Sequence, residues 1–277
     1  MTEIREKIEN LAGLEPEEYP PDAMDIFIEF RDLLGKGAIR SAEKIDGSWK
    51  VNIWVKQGIL LGFRLGKLVD YSENKSFRYF DKETYPLKNI SIEDDIRIVP
   101  GGTSIRAGAY IAASVVIMPP AYVNVGAYVD RETMIDSHAL VGSCAQVGKN
   151  VHISAGTQIG GVLEPVRSLP VIIEDNVILG SNTGVYEGTI VRSGAVLAAG
   201  TILTSSTKIY DLINETVIEP NEDGVIELPE NAVVVPGARK KEGAFAQKHD
   251  LSIYSPVIIK YRDQKTESGI SLEEILR

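Results

Sequence analysis

A mainly β chain, wound as a parallel coil of short strands, is the fold class this sequence predicts, and three observations predict it. An aliphatic residue, most often Ile or Val, recurs at every sixth position from Ile105 to Ile159 and again from Ile173 to Ile209. Four positions after these anchors comes a second column of small or β-branched residues, among them Ala109, Val115, Ala127, Thr133, Ala145, Thr157, Val177, Thr183, Ala195 and Thr201. Neither the 3.6-residue period of a helix nor the two-residue alternation of a half-buried strand produces this spacing. A fixed self-similar period marks a solenoid, and hexapeptide repeats are among the parallel β-helices.

Residues 1–95 lack the period and read as a small α/β cap domain sealing the first coil. DAMDIFIEFRDLLGKG predicts a helix with Asp22 as its cap, Phe27, Phe30, Leu33 and Leu34 as its apolar stripe and Gly35 as its stop. KIDGSWKVNIWVK predicts a hairpin turning at Asp46 and Gly47. Residues 96–211 form the coil. Each six is a strand and its corner, three strands close a triangular turn of eighteen residues, and the anchors point inward. At ~4.8 Å between paired strands, nearly six coils stand roughly 25 to 30 Å tall. A sandwich of short strands would instead alternate with period two and vary its turn lengths. The hand of the coil does not follow from the period, because parallel crossovers in general are right-handed.

The count breaks once. Ile159 and Ile173 are fourteen residues apart, so residues 160–170, GGVLEPVRSLP, hold a loop of about eight residues thrown out from the prism. Insertions in repeat proteins mark a working face. The pair Gly160 and Gly161 permits close approach of main chain to a ligand, while Leu163, Val166 and Leu169 are costly to leave in water. Residues 212–277 form an extension: a second hairpin turn at Asp223 and Gly224, the strand SPVIIKY, and a short helix in SGISLEEILR with a capping box from Ser271 to Glu274. Such flanks cover the open edges of a solenoid.

Composition narrows the function classes. The 277 residues are 44% hydrophobic and 25% charged, an ordinary globular balance. With 39 acidic against 29 basic residues the formal charge is −10, which disfavours nucleic acid as a partner. The start, MTEIREKIEN, has no apolar signal core, and no run approaches the roughly 20 apolar residues of a membrane span. A cytoplasmic protein without membrane contact is expected. The single cysteine, Cys144, fits a reducing compartment and reads as a small buried hydrophobe rather than a nucleophile. A zinc hydratase on such a coil needs three histidine ligands; the chain has only His138, His152 and His249, the last outside the repeats, so no metal is expected. A purely structural coil is the other rival, and it has no use for the 160–170 loop.

The coil resembles the hexapeptide-repeat acyltransferases. More narrowly, YVNVGAYVDRETMIDSHALVGSCAQVGKNVHISAGTQIGGVLEP resembles the tetrahydrodipicolinate N-succinyltransferase family of the lysine and diaminopimelate pathway, with further matches in AEKIDGSWKVNIWVK, SFRYFDKE, IRIVPGG, VIIEDNVILG, STKIYD and NAVVVPG. The resemblance implies a left-handed β-helix, a homotrimer with active sites in clefts between neighbours, no bound cofactor, and succinyl-coenzyme A as cosubstrate with an amino dicarboxylate as acceptor. It implies that Arg97 binds a carboxylate of that substrate, a task suited to a bidentate guanidinium, and that Asp136 meets the amine. A thioester is attacked by a deprotonated amine, so a carboxylate there can orient it and receive the proton. Candidate contacts to coenzyme A are Gly160, Gly161, Ala199, Gly200, Arg239 and Lys240, with Lys241 beside them in the densest basic triplet.

One position departs from the family pattern. A second catalytic glutamate belongs three residues before the Glu-Gly pair, where this chain, reading GSNTGVYEG, has Gly184 and keeps only Glu187. Glu187 is therefore the second catalytic candidate, His138 a substitute base, and His152 a structural or interfacial residue. The alternative reading is a divergent relative that acylates a related amino acid, as in tabtoxin-type antibiotic pathways, with acetyl-coenzyme A as another donor.

Overall fold

The computed structural model describes residues 2–262. A parallel β-helix dominates it, and the triangular prism has three faces. The first carries Arg97–Ile98, Val116–Ile117, Met134–Ile135, His152–Ile153, Ile178–Leu179, Val196–Leu197 and Ala232–Val235. The second carries Ser104–Ile105, Tyr122–Val123, Leu140–Val141, Gln158–Ile159, Gly184–Val185 and Ile202–Leu203. The third carries Tyr110–Ile111, Tyr128–Val129, Gln146–Val147, Ile172–Ile173, Thr189–Val191 and Ile226–Leu228. Val116 pairs with Met134 and Tyr128 with Gln146, one turn of eighteen apart. Across the inserted loop Gln146 pairs with Ile172, His152 with Ile178 and Gln158 with Gly184. The extra residues are expelled, and every face keeps its pairing.

The sixth-position residues are all buried, from Ile105 at the first coil to Ile209 at the last. They fill the prism together with the small column, in which Ala109, Val115, Thr157 and Thr201 are wholly enclosed. What makes the period six is a third column: the residue three after an anchor has a left-handed backbone, as at Gly126 (φ 77), Asn150 (φ 52), Asn176 (φ 59) and Gly194 (φ 73). Glycine and asparagine tolerate that conformation at small cost, which is why they punctuate the repeats.

The amino-terminal part consists of helices α1 (Thr2–Ala12), α2 (Ala23–Gly35) and α3 (Ile53–Leu65) plus hairpins. In α2, Phe27, Phe30 and Leu34 are buried and Leu33 packs at the rim, as its stripe predicts. Asp22 precedes the helix but makes no side-chain cap bond, and Gly37 (φ 69), not Gly35, reverses the chain. Its amide donates to the Leu34 carbonyl and that of Ala38 to Leu33, which satisfies the last turn. Helix α3 goes unread in the sequence because Val55, Ile59 and neighbouring bulky residues suit a strand equally. Gly58 and Gly62 let it lie hard against α2: a Cβ on either would sit 2.5 Å from Phe30 Cζ or 2.3 Å from Phe27 Cζ. The hairpin of Ala42–Ile45 and Ser48–Val51 turns at Asp46 (φ 49) and Gly47 (φ 78), the paired positive φ of a type I′ turn.

Within residues 1–95, the three helices and the first hairpin do not seal the first coil. They run along the side of the prism: Val125 and Cys144 join the helical core, and Ala42 packs with Ile172 and Ile190 of the third face. Glu174 locks the hairpin there. Its carboxylate, 5% exposed, accepts bonds from Lys44 Nζ, Trp49 Nε1 and Arg192 at 2.9 Å each. Burial would raise its pKa, but those hydrogen bonds and the Arg192 charge outweigh it and hold the carboxyl at about 2. The sealing falls to the end of the 1–95 segment and the first strand after it, residues 86–98, where Lys88 donates its amide to the Ile105 carbonyl and Ile90 and Ile96 cover the core.

At the other end the coil outruns residue 211. Ile226–Leu228 adds in parallel to Thr189–Val191, and Ala232–Val235 to Val196–Leu197. The turn at Asp223 and Gly224 (φ 73) therefore closes no hairpin, because Ile226 and Leu228 are wholly buried as core residues of the next coil. Thr216–Ile218 instead folds back on Ile209–Asp211, and Val257–Tyr261 lies between Ile209–Asp211 and Ala232–Val235, antiparallel to the latter. The helix expected over 268–277 lies outside the described residues. Among these, no helix is long and apolar enough to cross a membrane.

Candidate active site

Arg97 lies on the first face; the other candidate residues fall on the two margins of the second face and on its far end. Asp136 directly follows the anchor Ile135, at the edge where the first face turns into the second. Its amide donates to the Ile153 carbonyl at 2.8 Å, which pins the backbone, and its Oδ1 accepts the Ser137 amide at 2.7 Å. The carboxylate is half-buried, and Oδ2 has no partner among the described residues. His138, two residues on, is exposed and takes the left-handed corner (φ 62) with its amide donating to the Pro120 carbonyl.

Glu187 is exposed on the opposite margin, where the second face turns into the third. It stands two coils along from Asp136, roughly 10 Å of axial rise at the spacing of paired strands. One chain thus does not bring the two carboxylates together. Arg97 is also exposed, on the opening strand of the first face, two pairings before Met134. It lies on the side of the prism that ends at the Asp136 edge.

Gly160 and Gly161 are packed for close approach. A Cβ on Gly142 would lie 2.2 Å from the Gly161 amide nitrogen, and one on Gly160 3.0 Å from the Tyr186 ring. Ala199 and Gly200 (φ 77) are exposed on the Asp136 margin, three coils on. Arg239 and Lys240 belong to Ala238–Lys240, paired with Ser252–Tyr254. The Tyr254 hydroxyl accepts the Ile202 amide at 2.7 Å, which seats this hairpin over the end of the second face. Lys240 is already ion-paired with Asp250, and Arg239 is half-buried.

The departure at Gly184 has a visible cause. A side chain there would begin 2.6 Å from Tyr186 Cε2, so the tyrosine ring occupies the space above the glycine. The small residue and the large one two positions later form a matched pair, a signal present in GVY that sequence reading passed over. Of the remaining candidates, Cys144 is wholly buried, and burial pushes its thiol up to about 12, which leaves no nucleophile. His152 is buried between Met134 and Ile178 in the first-face ladder. His249 packs its ring at a tilt against Phe245 outside the coil. Among the described residues no group of three or more His, Cys, Asp and Glu side chains is arranged to hold a metal ion.

Two family models match the chain: the tetrahydrodipicolinate N-succinyltransferase amino-terminal domain over residues 1–65, and the hexapeptide repeat of succinyl-transferase over 170–205. Proteins of Burkholderia ambifaria, Burkholderia cenocepacia and Paraburkholderia phymatum are each 43% identical over 97% of this chain and 94% of their own length. All three are named 2,3,4,5-tetrahydropyridine-2,6-dicarboxylate N-succinyltransferase. Among solved structures, a Campylobacter jejuni protein provisionally assigned as a 2,3,4,5-tetrahydropyridine-2-carboxylate N-succinyltransferase aligns at TM-score 0.49 and 18% identity over 86% of this chain and 63% of its own, too distant to carry an argument.

Proposed function

The chain belongs to the tetrahydrodipicolinate N-succinyltransferase family of acyltransferases, and from that premise we propose that it moves the succinyl group of succinyl-coenzyme A onto the amine of an amino dicarboxylate derived from 2,3,4,5-tetrahydropyridine-2,6-dicarboxylate, a step toward diaminopimelate and lysine. The observation that carries this reading is identity of 43% spread over 97% of the chain, flanks and loop included, where a shared coil alone would match only the repeats. A cytoplasmic location suits the lone buried Cys144 and the coenzyme A donor.

In this reading Arg97 clamps one substrate carboxylate through two parallel bonds. Asp136 takes the amine on its free Oδ2, while the Ser137 amide on Oδ1 fixes the orientation. The amine nitrogen attacks the thioester carbonyl carbon and gives a proton to Asp136. The carbon–sulfur bond then breaks, the amide remains, and the coenzyme A thiolate leaves and takes up a proton. Glu187 is the candidate to pass that proton on. Gly160 and Gly161 present main chain to the donor, Ala199 and Gly200 flank it, and Arg239 and Lys240 meet its phosphates.

A homotrimer accommodates this chemistry. Asp136 and Glu187 lie on opposite margins of one face, so a second copy is what can bring one of each into a single cleft. The outward column of the first face, which also carries Arg97 and His152, presents half-buried Met134, Ile178 and Val196 as apolar side chains suited to such packing. The test is to incubate the protein with succinyl- or acetyl-coenzyme A against tetrahydrodipicolinate or 2-aminopimelate and follow free thiol. Release with succinyl-coenzyme A and tetrahydrodipicolinate is expected. Release with no pair sinks the acyltransferase reading, and release with 2-aminopimelate alone moves it to a divergent substrate, the outcome that the Gly184 and Tyr186 pair would explain.

A further inference from the structure

Helix α3 buries a charge that the chemistry above does not use. Lys56 is 0% exposed, on a helix whose Val55 and Ile59 are wholly buried as well. An ammonium group has three N–H donors and is costly to bury without partners. Among the described residues Lys56 makes one hydrogen bond, from Nζ to the main-chain carbonyl of Ser168 at 2.6 Å, and no ion pair with a carboxylate accompanies it.

Ser168 lies in the inserted loop. That loop is anchored where it leaves and rejoins the coil: Val162 sits in the prism core, Leu163 against the helical cluster, and Leu169 beside Ala42, Ile172 and Ile190. Between these anchors Glu164, Pro165 and Arg167 are exposed. The Lys56 bond is the polar tie on the returning limb. Stability gives little reason for a lysine here, because the cost of desolvating the ammonium offsets what a single hydrogen bond to the carbonyl of half-buried Ser168 returns.

We propose that Lys56 is a positioning residue: it holds the returning limb of loop 160–170, so that the loop beyond Gly160 and Gly161 keeps its fold beside the acyl donor. The donor half of this statement rests on the proposed function; the tether half does not. Lys56→Met keeps the length of the side chain and removes the donor. Its melting temperature should equal or exceed that of the parent, and tryptic cleavage after Arg167 should quicken about tenfold or more while other sites keep their rates. The Kd of succinyl-coenzyme A, measured by calorimetry, should rise by about the same factor, the worth of one charge-assisted hydrogen bond, with kcat and the dicarboxylate KM held within about twofold. Lys56→Gln, which restores an N–H donor, should recover part of both effects.

A lower melting temperature with faster cleavage at every site makes the ammonium merely structural and overturns the proposal. So does unchanged cleavage after Arg167, faster cleavage with an unchanged Kd, or failure of both variants to fold. If the parent protein binds no succinyl-coenzyme A at all, the proposed function fails, while the cleavage comparison still decides whether the tether exists.

Discussion

Replacing Glu174 by glutamine removes one charge from the joint between the amino-terminal hairpin and the third face, and the size of the effect follows from the geometry. The carboxyl lies at about 2 against an ordinary 4.5, and at 1.36 kcal/mol per pH unit that difference contributes about 3 kcal/mol at neutral pH. Because the folded value is the depressed one, the contribution is complete above the unfolded value of 4.5 and is lost as pH falls from there toward 2. Urea unfolding of parent and Glu174→Gln, followed by tryptophan fluorescence, measures it, and Trp49 reports directly because its Nε1 donates to this carboxylate. The two should differ by about 3 kcal/mol at pH 7 and by roughly 1.4 at pH 3. A difference that stays constant over that range would show the cost to be a poor fit of the amide, and the electrostatic account of the joint would be wrong.

Asp136→Asn should lower turnover by roughly 10² to 10⁴, the usual worth of a general base, with donor affinity unchanged; Arg97→Lys should instead raise the dicarboxylate KM while kcat holds, and near-normal turnover in Asp136→Asn with none in Glu187→Gln would reassign the base. Gly184→Glu should cost about 1 to 3 kcal/mol by displacing the Tyr186 ring, as overpacking does, and adding Tyr186→Val should restore most of it; equal loss in the single and double variants refutes the pairing. Light scattering at micromolar concentration should find a particle of three chains, and a single-chain mass would remove the shared cleft.

The coil was legible because its determinants are local and repeated. An anchor that must point inward every sixth residue shows itself in Ile105 to Ile209, and Asn150, Asn176 and Gly194 mark corners by the backbone they tolerate. The same corner is taken by Glu132, His138 and Cys144, residue types that do not announce it; there the stack imposes the conformation. What stayed hidden depends on distant partners. Helix α3 becomes recognisable only with the Phe27 and Phe30 rings seated on its glycines, and the side-on docking of residues 1–95 only with Glu174 receiving Lys44 and Trp49 from 125 residues or more away. The site was half legible in the same sense. The candidate residue types came from resemblance; Arg97 is exposed, Asp136 is half-buried, and Glu187 lies on the far margin because a repeat fixes a side chain's edge and height, not the neighbour it will face.

The way the stack ends bears on filament growth. Each coil offers the next a set of free N–H and C=O groups of one polarity, and a column of such coils could recruit further chains without limit, as cross-β fibres do. Here the last strand of the first face, Ala232–Val235, meets Val257–Tyr261 running the opposite way, with a register slip between Val233 and Val234. An incoming coil would find reversed polarity and a broken register where it needs a continuous parallel template. On this face the chain blocks its own continuation, and variants that weaken the Val257–Tyr261 strand are where fibrous aggregation should begin.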